Sequence, residues 1–349
     1  MTRQIFVRGT GQEDNIGDVI LRRSFFEQLS AAGQLHIHLG DATEDFIAAL
    51  ELRESDVIYR DAESWRRAAY RSVLRKPTWL VDKPGELLLE EDIYKGQRSL
   101  LPLIVAVRAR GGRSLRLGIG HRKPNPALVG RFRRLYRLSN TVAWRDVESH
   151  AHFAIGEVMP DWGFLDGSEV ARAEPRGRLV VSYRSDRDML PQHAIDAIRA
   201  FAERESLLIT VVTQVARDSS RSLELHDALG GELLDWKEPA NHRAQEARLR
   251  DIYAETAVAL SDRLHVLIVA AAEGAAPVNL IDKHDPKIAR HFEAIGYRDV
   301  TVASSDATAA ELVDALDRAR GRGEEMMTKV SGARVRIRDI ARRSLSLRS

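Results

Sequence analysis

The sequence predicts an α/β protein made of two domains, each built on a parallel β-sheet. Short apolar runs alternate with amphipathic segments along nearly the whole chain, which is the pattern of repeated strand–helix units. A length of 349 residues suits two domains of ordinary size. A polar segment containing proline and glycine, residues 171–178, fits a linker. We therefore expect domains at residues 1–172 and 179–330, a basic tail at 331–349, and ligands between the two halves.

In the N-terminal half, short apolar runs predict strands and segments of helical period predict helices. In the first helix, Val19, Ile20, Phe25, Phe26 and Leu29 are the apolar positions. The predicted strands cover residues 4–8, 35–39, 57–59, 78–82, 103–107, 115–119 and 141–144. The predicted helices cover residues 18–32, 44–52, 64–74, 86–100, 126–138 and 149–155.

The C-terminal half repeats the alternation. Its predicted strands cover residues 179–183, 207–213, 233–234, 257–260 and 276–281. Its predicted helices cover residues 190–205, 219–229, 244–255 and 263–273, and a last one runs from Asp285-Pro286-Lys287 to near Gly296. Strand, helix, strand and helix in succession predict right-handed crossovers in a parallel sheet.

Composition excludes several classes of function. Hydrophobic residues make up 44% and charged residues 30%, which is typical of a globular protein, and no apolar run approaches the ~20 residues that span a bilayer. The absence of cysteine excludes disulfides, thiolate nucleophiles and cysteine metal sites. A net charge of only +2 argues against nucleic acid as a main partner. The first residues lack a secretory apolar region, so we expect a cytoplasmic protein.

The stretch from residue 257 to residue 296 carries the clearest candidate site. Ser261, Asp262, Arg263 and His265 lie between the carboxyl end of a predicted strand and the start of a helix. A helix N-terminus favours an anion, arginine adds a forked cationic donor, and histidine can exchange a proton near neutral pH. The alternative is structural, with Arg263 paired to Asp262 and His265 acting as a capped histidine.

The first strand-to-helix turn is a second candidate. Gly17 lets the backbone approach a ligand closely, and Asp18 can cap the helix or bind a hydroxyl group, with Asn15 beside them. Turn and capping chemistry would explain all three residues equally well. The glycines do not form the G-x-G-x-x-G pattern of dinucleotide sites, so NAD is discounted.

Other strand ends also carry charge. Arg145 and Asp146 directly follow one predicted strand, and Arg184, Ser185 and Asp186 follow another. These positions again lie at the ligand-binding edge of a parallel sheet. A surface salt bridge between Arg145 and a neighbouring acid is the alternative interpretation.

Six short motifs in order make the chain similar to the polysaccharide pyruvyl transferase family, from about Gln4 to Gly296. The motifs are NIGD at 15–18, VAWRDVES at 142–149, Asp161 within MPDWGF, VSYR at 181–184, SDRLH at 261–265 and DPKI at 285–288. The chain departs from the family at one place, where Lys83-Pro84-Gly85-Glu86 stands instead of a glycine-rich loop.

The resemblance implies two Rossmann-like domains facing a cleft, as in GT-B glycosyltransferases. It also implies an enzyme of polysaccharide biosynthesis that moves the pyruvyl group of phosphoenolpyruvate onto a sugar as a cyclic ketal and releases phosphate. Phosphoenolpyruvate is then a co-substrate, and no cofactor or metal is expected. The implied roles are His265 as catalytic acid, Arg184, Arg263, Leu264 and Lys287 at the donor, and Asn15, Asp18 and Arg145 at the acceptor or cleft.

Two other functions remain open from the sequence. The first is a GT-B glycosyltransferase that uses a nucleotide-sugar, because one fold serves many functions. The second is a non-catalytic, carbohydrate-binding relative.

The basic tail has two interpretations. Residues 331–349 contain six arginines and one acid, Asp339, and as a helix would place Ile337, Ile340 and Ala341 on one face. Such a segment can make weak contact with the inner face of an anionic membrane, which suits a lipid-linked oligosaccharide acceptor. Alternatively, it packs back onto the body of the protein.

Overall fold

A computed structural model of the chain describes residues 2–122, 125–167, 176–236, 241–282, 285–305 and 307–346. Residues 171–175, which form most of the predicted linker, and residues 347–349 of the predicted tail lie outside this described part.

The chain divides into two compact units. Unit 1 comprises the residues up to Gln12, Leu21–Trp162 and the residues from Val335 onward, and unit 2 comprises Glu13–Ile20 and Gly163–Arg334. Each unit is built on a parallel sheet with helices in its connections, so the predicted two-domain α/β fold is confirmed. The sequence had placed residues 13–20 in the N-terminal domain, whereas the structure groups them with unit 2.

Unit 1 carries an entirely parallel sheet. Its strands are β1 (Gln4–Arg8), β2 (Gln34–His38), β3 (Val57–Tyr59), β4 (Thr78–Asp82), β5 (Gly85–Leu88), β6 (Arg113–Arg122), β7 (Thr141–Trp144) and β8 (Glu157–Val158). The helices that begin in this part of the chain are α1 (Ile16–Ser30), α2 (Glu44–Ala49), α3 (Ala62–Arg75), α4 (Glu91–Arg98), α5 (Leu101–Ala109), α6 (Pro126–Tyr136) and α7 (Val147–Phe153). The strand order is β3-β2-β1-β4-β6-β7-β8, and β5 pairs with β6 beyond the end of β4.

Unit 2 has a second parallel sheet with the order β11-β10-β9-β12-β13-β14. Its strands are β9 (Arg178–Ser182), β10 (Leu208–Val212), β11 (Glu232–Leu234), β12 (Thr256–Ser261), β13 (Ala276–Ile281) and β14 (Thr301–Ala303). The helices are α8 (Gln192–Arg204), α9 (Ser219–Leu229), α10 (His242–Ala254), α11 (Leu264–Ala272), α12 (Lys287–Glu293), α13 (Ala309–Arg320) and α14 (Gly323–Leu345). Helix α14 begins in unit 2 and ends in unit 1.

Two of the predicted elements are wrong. Residues 103–107 were predicted as a strand, but they lie within helix α5, where Leu103, Ile104 and Val107 are buried and Val105 is exposed. Residues 86–100 were predicted as one helix, but the first of them belong to β5, which pairs in parallel with the far half of β6. A short apolar run fits a buried strand or a buried helix equally well, and its tertiary neighbours decide between them.

The core of each unit consists of the apolar faces of its sheet and helices. In unit 2 it joins Leu179, Val181 and Leu260 of the sheet to Ile198 and Phe201 of α8.

Each sheet has one point at which the strand order changes direction. In unit 1 this switch point lies between β1 and β4, and in unit 2 it lies between β9 and β12. Open parallel sheets bind ligands in the crevice at the carboxyl ends of the strands beside a switch point. In unit 2 those strand ends carry Arg184 and Arg263.

Candidate functional site

The two strand ends at the switch point of unit 2 are joined by hydrogen bonds. The Ser261 hydroxyl donates to the carbonyl of Ser182, and the backbone N–H of Arg184 donates to Asp262 Oδ1 over 3.0 Å. Asp262 is buried, and its burial raises the pKa of the carboxyl group against the opposing effect of Arg187. The Asp262 side chain therefore connects the segment after β12 to the segment after β9.

Arg263 is held by a carboxylate that the sequence did not indicate. Its Nε and Nη2 each donate over 2.7 Å to the buried Asp218, which lies just before α9. The same carboxylate accepts a hydrogen bond from the backbone N–H of Ser185 over 3.0 Å. The alternative pairing of Arg263 with Asp262 is thus replaced by a bidentate pair with Asp218.

Arg184 is held in the same manner by Asp186. Its Nε and Nη2 donate to the two carboxylate oxygens over 2.7 and 2.6 Å. This pairing lowers the pKa of Asp186 to about 2, and the nearby charge of Arg263 contributes. In both arginines one edge of the guanidinium is occupied, whereas Nη1 has no hydrogen-bond partner among the residues that the structure describes. Each of the two side chains is therefore anchored through one edge of its guanidinium group.

Two further ion pairs lie at this edge. Arg187 contacts Asp262 at 3.5 Å and Asp285 at 2.7 Å, and Asp285 also accepts a hydrogen bond from the backbone N–H of Lys287 over 3.0 Å. Lys287 begins helix α12, and its side chain is half-buried. The predicted donor residue Lys287 is in this way connected to the switch point through Asp285 and Arg187.

The NIGD motif lies directly against His265. A Cβ atom on Gly17 would come within 2.3 Å of the His265 Cβ, so only glycine permits this approach of the two backbones. Asn15 Oδ1 accepts a hydrogen bond from the Gly17 N–H over 3.0 Å and caps the first turn of α1. The N-terminal turns of α1 and α11 thus meet at His265, and both contribute partial positive charge there.

Asn15 and Asp18 therefore lie in unit 2 together with His265 and Arg263. Asn15 is buried and bridges to Val215 after β10, while Asp18 is half-buried in the first turn of α1. The predicted donor residue Leu264 is also buried.

Arg145 belongs to a separate network in unit 1. Its Nη1 lies 3.2 Å from Asp161 Oδ2, its Nη2 lies 3.9 Å from Glu86 Oε1, and its side chain is only 4% exposed. The surface salt bridge considered from the sequence is therefore a buried pair. Asp146 caps α7 by accepting a hydrogen bond from the Ser149 N–H over 2.7 Å.

The segment Lys83-Pro84-Gly85-Glu86 joins two strands. Lys83 and Pro84 separate β4 from β5, and both strands run in parallel along β6. Proline cannot donate a backbone hydrogen bond, and Pro84 lies where the pairing with β6 is interrupted between β4 and β5.

Comparison with solved structures reveals the fold class. The chain is similar to UDP-GlcNAc 2-epimerase from Neisseria meningitidis bound to UDP-GlcNAc, with 9% identity, 98% of this chain and 99% of that one covered, and a TM-score of 0.60. It is also similar to Anabaena Alr3699/HepE in complex with UDP, with 12% identity, coverage of 99% and 96%, and a TM-score of 0.54. The corresponding values for Acinetobacter baumannii MurG are 14%, 98% and 100%, and 0.51. The chain has a GT-B-like fold.

No protein-family model and no curated protein sequence matches the chain. The GT-B-like fold therefore rests on the structure, and the function has to be argued from the residues at the site.

Within this GT-B-like fold, the sequence missed the acids that hold the arginines. Asp218 follows the carboxyl end of β10 and immediately precedes α9, and Arg217 beside it pairs with Asp14. The rule that singled out Arg263, charge between a strand end and a helix start, also selects Arg217 and Asp218. Among the described residues, no group of three or more histidines and acids has the arrangement of a metal site.

Proposed function

We propose that this protein is an enzyme that transfers the pyruvyl group of phosphoenolpyruvate to a sugar, forms a cyclic ketal and releases phosphate. The observation that carries the proposal is the pair Arg184 and Arg263, each anchored on one edge by an aspartate at the switch point of unit 2. The motif resemblance supports the same donor. The acceptor belongs to a polysaccharide or its precursor.

Phosphoenolpyruvate carries a carboxylate and a phosphate on three carbons, so it needs two forked donors close together. A guanidinium can bind either group in a bidentate manner through the edge that its aspartate leaves open. The anchoring aspartates reduce the side-chain entropy that is lost when the donor binds. Two helix N-termini add N–H groups and positive potential for the phosphate.

The chemistry needs one proton at the methylene carbon of the donor. A sugar hydroxyl forms a bond to the central carbon, its proton is lost, and the methylene carbon gains a proton to become a methyl group. A second hydroxyl of the same sugar then forms a bond to the same carbon, the bond from that carbon to the phosphate oxygen breaks, and the hydroxyl proton leaves with the phosphate. His265, in the first turn of α11, is the residue that we assign to proton transfer at this site.

Glycosyl transfer from a nucleotide-sugar is the second candidate. It is supported by the likeness of the fold to proteins that were solved with UDP-GlcNAc or UDP bound. The two functions predict different donors for the same unit. Phosphoenolpyruvate, a small polyanion, needs only the arginine pair and the helix N-termini, whereas a nucleotide needs additional contacts for its base and ribose.

A donor screen tests the proposal. The purified protein is mixed with phosphoenolpyruvate and a panel of galactosides, glucosides and mannosides, and released phosphate is measured together with the mass of the sugar product. Pyruvyl transfer predicts phosphate release and a sugar heavier by one pyruvate ketal.

A parallel thermal-shift measurement compares phosphoenolpyruvate with UDP and UDP-sugars. Stabilisation by UDP alone, with no phosphate released from phosphoenolpyruvate, would contradict pyruvyl transfer and support glycosyl transfer. Sugar binding with neither donor active would indicate a non-catalytic relative.

A further inference from the structure

The switch point of unit 1 holds a second group of cations that the proposed donor site does not use. Arg8 ends β1, Lys83 follows β4, and the buried Arg116 extends from β6. All three surround Asp82, which accepts hydrogen bonds from Arg8, from Arg116 and from the backbone N–H of Lys83. Asp82 is thus paired with two guanidinium groups, those of Arg8 and Arg116, and it is joined to Lys83 through the Lys83 backbone.

Arg8 is held as the donor-site arginines are held. Its Nε donates to Asp82 Oδ1 over 3.1 Å and its Nη2 donates to the same oxygen. Its Nη1 has no hydrogen-bond partner in the described part of the chain, and the side chain is 24% exposed. One edge of this guanidinium is thus anchored, and the other can reach a ligand.

The loop after β1 turns its carbonyl groups toward cations. Arg22 donates to the carbonyls of Gly9 and Thr10 over 3.0 and 2.7 Å, and Lys83 Nζ lies 3.1 Å from Thr10 Oγ1. The N–H groups of Thr10 and Gly11 donate to no described residue. The C=O and N–H groups of one peptide point in opposite directions. Because the carbonyls of Gly9 and Thr10 point toward cations, the N–H groups of Thr10 and Gly11 point away from them, an arrangement that favours an anion.

The loop is also closely packed. A Cβ atom on Gly9 would come within 2.8 Å of Phe26 and Leu39, and one on Gly11 would come within 2.4 Å of the Arg22 guanidinium. A side chain at either glycine would therefore displace these neighbours. Burial lowers the pKa of the neighbouring His38, and the charges of Arg8 and Lys83 lower it further against the opposing effect of Asp61.

We propose that this edge of unit 1 binds the anionic group of the acceptor, a phosphate ester or a carboxylate on the sugar. Arg8 and Lys83 supply the charge, and the Thr10 and Gly11 N–H groups supply directed hydrogen bonds. A neutral sugar has no need of this arrangement, because its hydroxyls are satisfied by uncharged donors and acceptors. The inference rests on the proposed function only in naming the ligand as a sugar acceptor.

Binding of three ligands that share one sugar tests the inference. Galactose 1-phosphate, galacturonate and galactose are titrated by calorimetry into the wild type, Arg8→Gln and Lys83→Gln. The matched control is Lys76→Gln, since the exposed Lys76 lies before the amino end of β4 and Lys83 follows its carboxyl end. Loss of a hydrogen bond to a charged group should weaken binding by about tenfold or more in Lys83→Gln and leave Lys76→Gln unchanged.

The ligand that loses affinity identifies the anionic group, either phosphate or carboxylate. The Arg263→Ala chain should keep the Lys83-dependent binding, because the two groups of residues lie in different units. Equal affinity for galactose and both anions, or unchanged binding in a folded Lys83→Gln chain, would overturn the subsite. Absence of turnover with phosphoenolpyruvate would overturn the proposed function alone, because this titration contains no donor.

Discussion

At the scale of single residues, three arginines at strand ends are anchored by aspartates. Arg263 contacts Asp218, Arg184 contacts Asp186, and Arg8 contacts Asp82, in each case through Nε and Nη2. Each aspartate restrains a long side chain and leaves part of its guanidinium for an anion. Arg263 is the clearest test of this arrangement.

Replacement of Arg263 by alanine should weaken phosphoenolpyruvate binding by roughly 2–5 kcal/mol, since a bidentate charged contact that becomes buried on binding is lost. Arg263→Lys should restore only part of that affinity, because lysine lacks the planar fork. Calorimetry measures both effects. Arg199→Ala, at an exposed position in α8, is the control, and a wild-type donor affinity in Arg263→Ala would remove Arg263 from the site.

Replacement of His265 by asparagine should lower turnover by about 10²–10⁴-fold and change donor affinity much less, because general acid catalysis acts on the transition state. Steady-state kinetics and donor titration separate the two effects. His152→Asn, at an exposed histidine of α7, should behave as the wild type. Near-normal turnover in His265→Asn would mean that another group supplies the proton.

The addition of one methyl group at Gly17 should lower both the stability of the protein and its turnover. Its Cβ would meet His265 at 2.3 Å and Asn15 Oδ1 at 3.2 Å, so Gly17→Ala must displace the first turn of α1 or the histidine. We expect a cost of about 1–3 kcal/mol in stability, as for other overpacked sites, and a loss of turnover.

The control for Gly17 is Gly130→Ala in helix α6, where nothing lies within 4 Å of the added Cβ. Alanine there should stabilise the helix by up to ~1 kcal/mol. Chemical denaturation measures the stability of both variants, and activity assays measure their turnover. Unchanged activity in Gly17→Ala would show that contact with the NIGD turn does not position His265.

At the scale of elements, the carboxyl end of β6 carries a buried histidine in an aromatic cluster. His121 packs against Phe132, Phe153 and Trp144, and its ring nitrogens contact the Tyr136 hydroxyl at 3.0 Å and the Leu87 carbonyl at 3.2 Å. Burial lowers the pKa of His121 to about 3. In the folded protein this residue is therefore neutral through the mildly acidic range.

The unfolded chain should bind a proton at His121 near pH 6.5, whereas the folded chain binds it near pH 3. The stability that this residue contributes is complete above pH 6.5 and is lost as the pH falls toward 3, by up to about 1.4 kcal/mol per pH unit. Urea denaturation between pH 7 and 4 should show a shallower pH dependence for His121→Gln than for the wild type. The exposed His152→Gln should keep the wild-type slope, and identical slopes for all three chains would contradict the prediction.

At the scale of the whole molecule, the described part of the basic C-terminal segment, residues 331–346, packs against the protein. Helix α14 buries Ile337, Ile340 and Ala341, the face that the sequence predicted to be apolar. Arg336 and Arg343 contact β8 through the Val158 carbonyl and the Glu157 carboxylate. The apolar side of the segment is thus occupied by protein, and the described helices include none that is long and apolar enough to cross a membrane.

A matched pair of substitutions in α14 measures this packing. Ile337 is 0% exposed and Val335 is 62% exposed, and both lie in the part of the helix that belongs to unit 1. Ile337→Ala should cost about 2–5 kcal/mol of unfolding free energy, and Val335→Ala about 0.5 kcal/mol or less. Denaturant titration of the full chain gives both numbers, and equal costs would show that the helix is not packed through Ile337.

The amino-acid sequence by itself determined the two parallel α/β units and the positions of Arg184, Arg263 and His265 at strand ends. These features follow from local periodicity and from the rule that charge after a buried strand lies at the ligand edge. The acids that hold the arginines, the contact of Gly17 with His265 and the helical state of residues 103–107 were decided by the tertiary structure. These three features depend on which distant residues become neighbours once the sheets form. A local sequence pattern does not specify those long-range contacts.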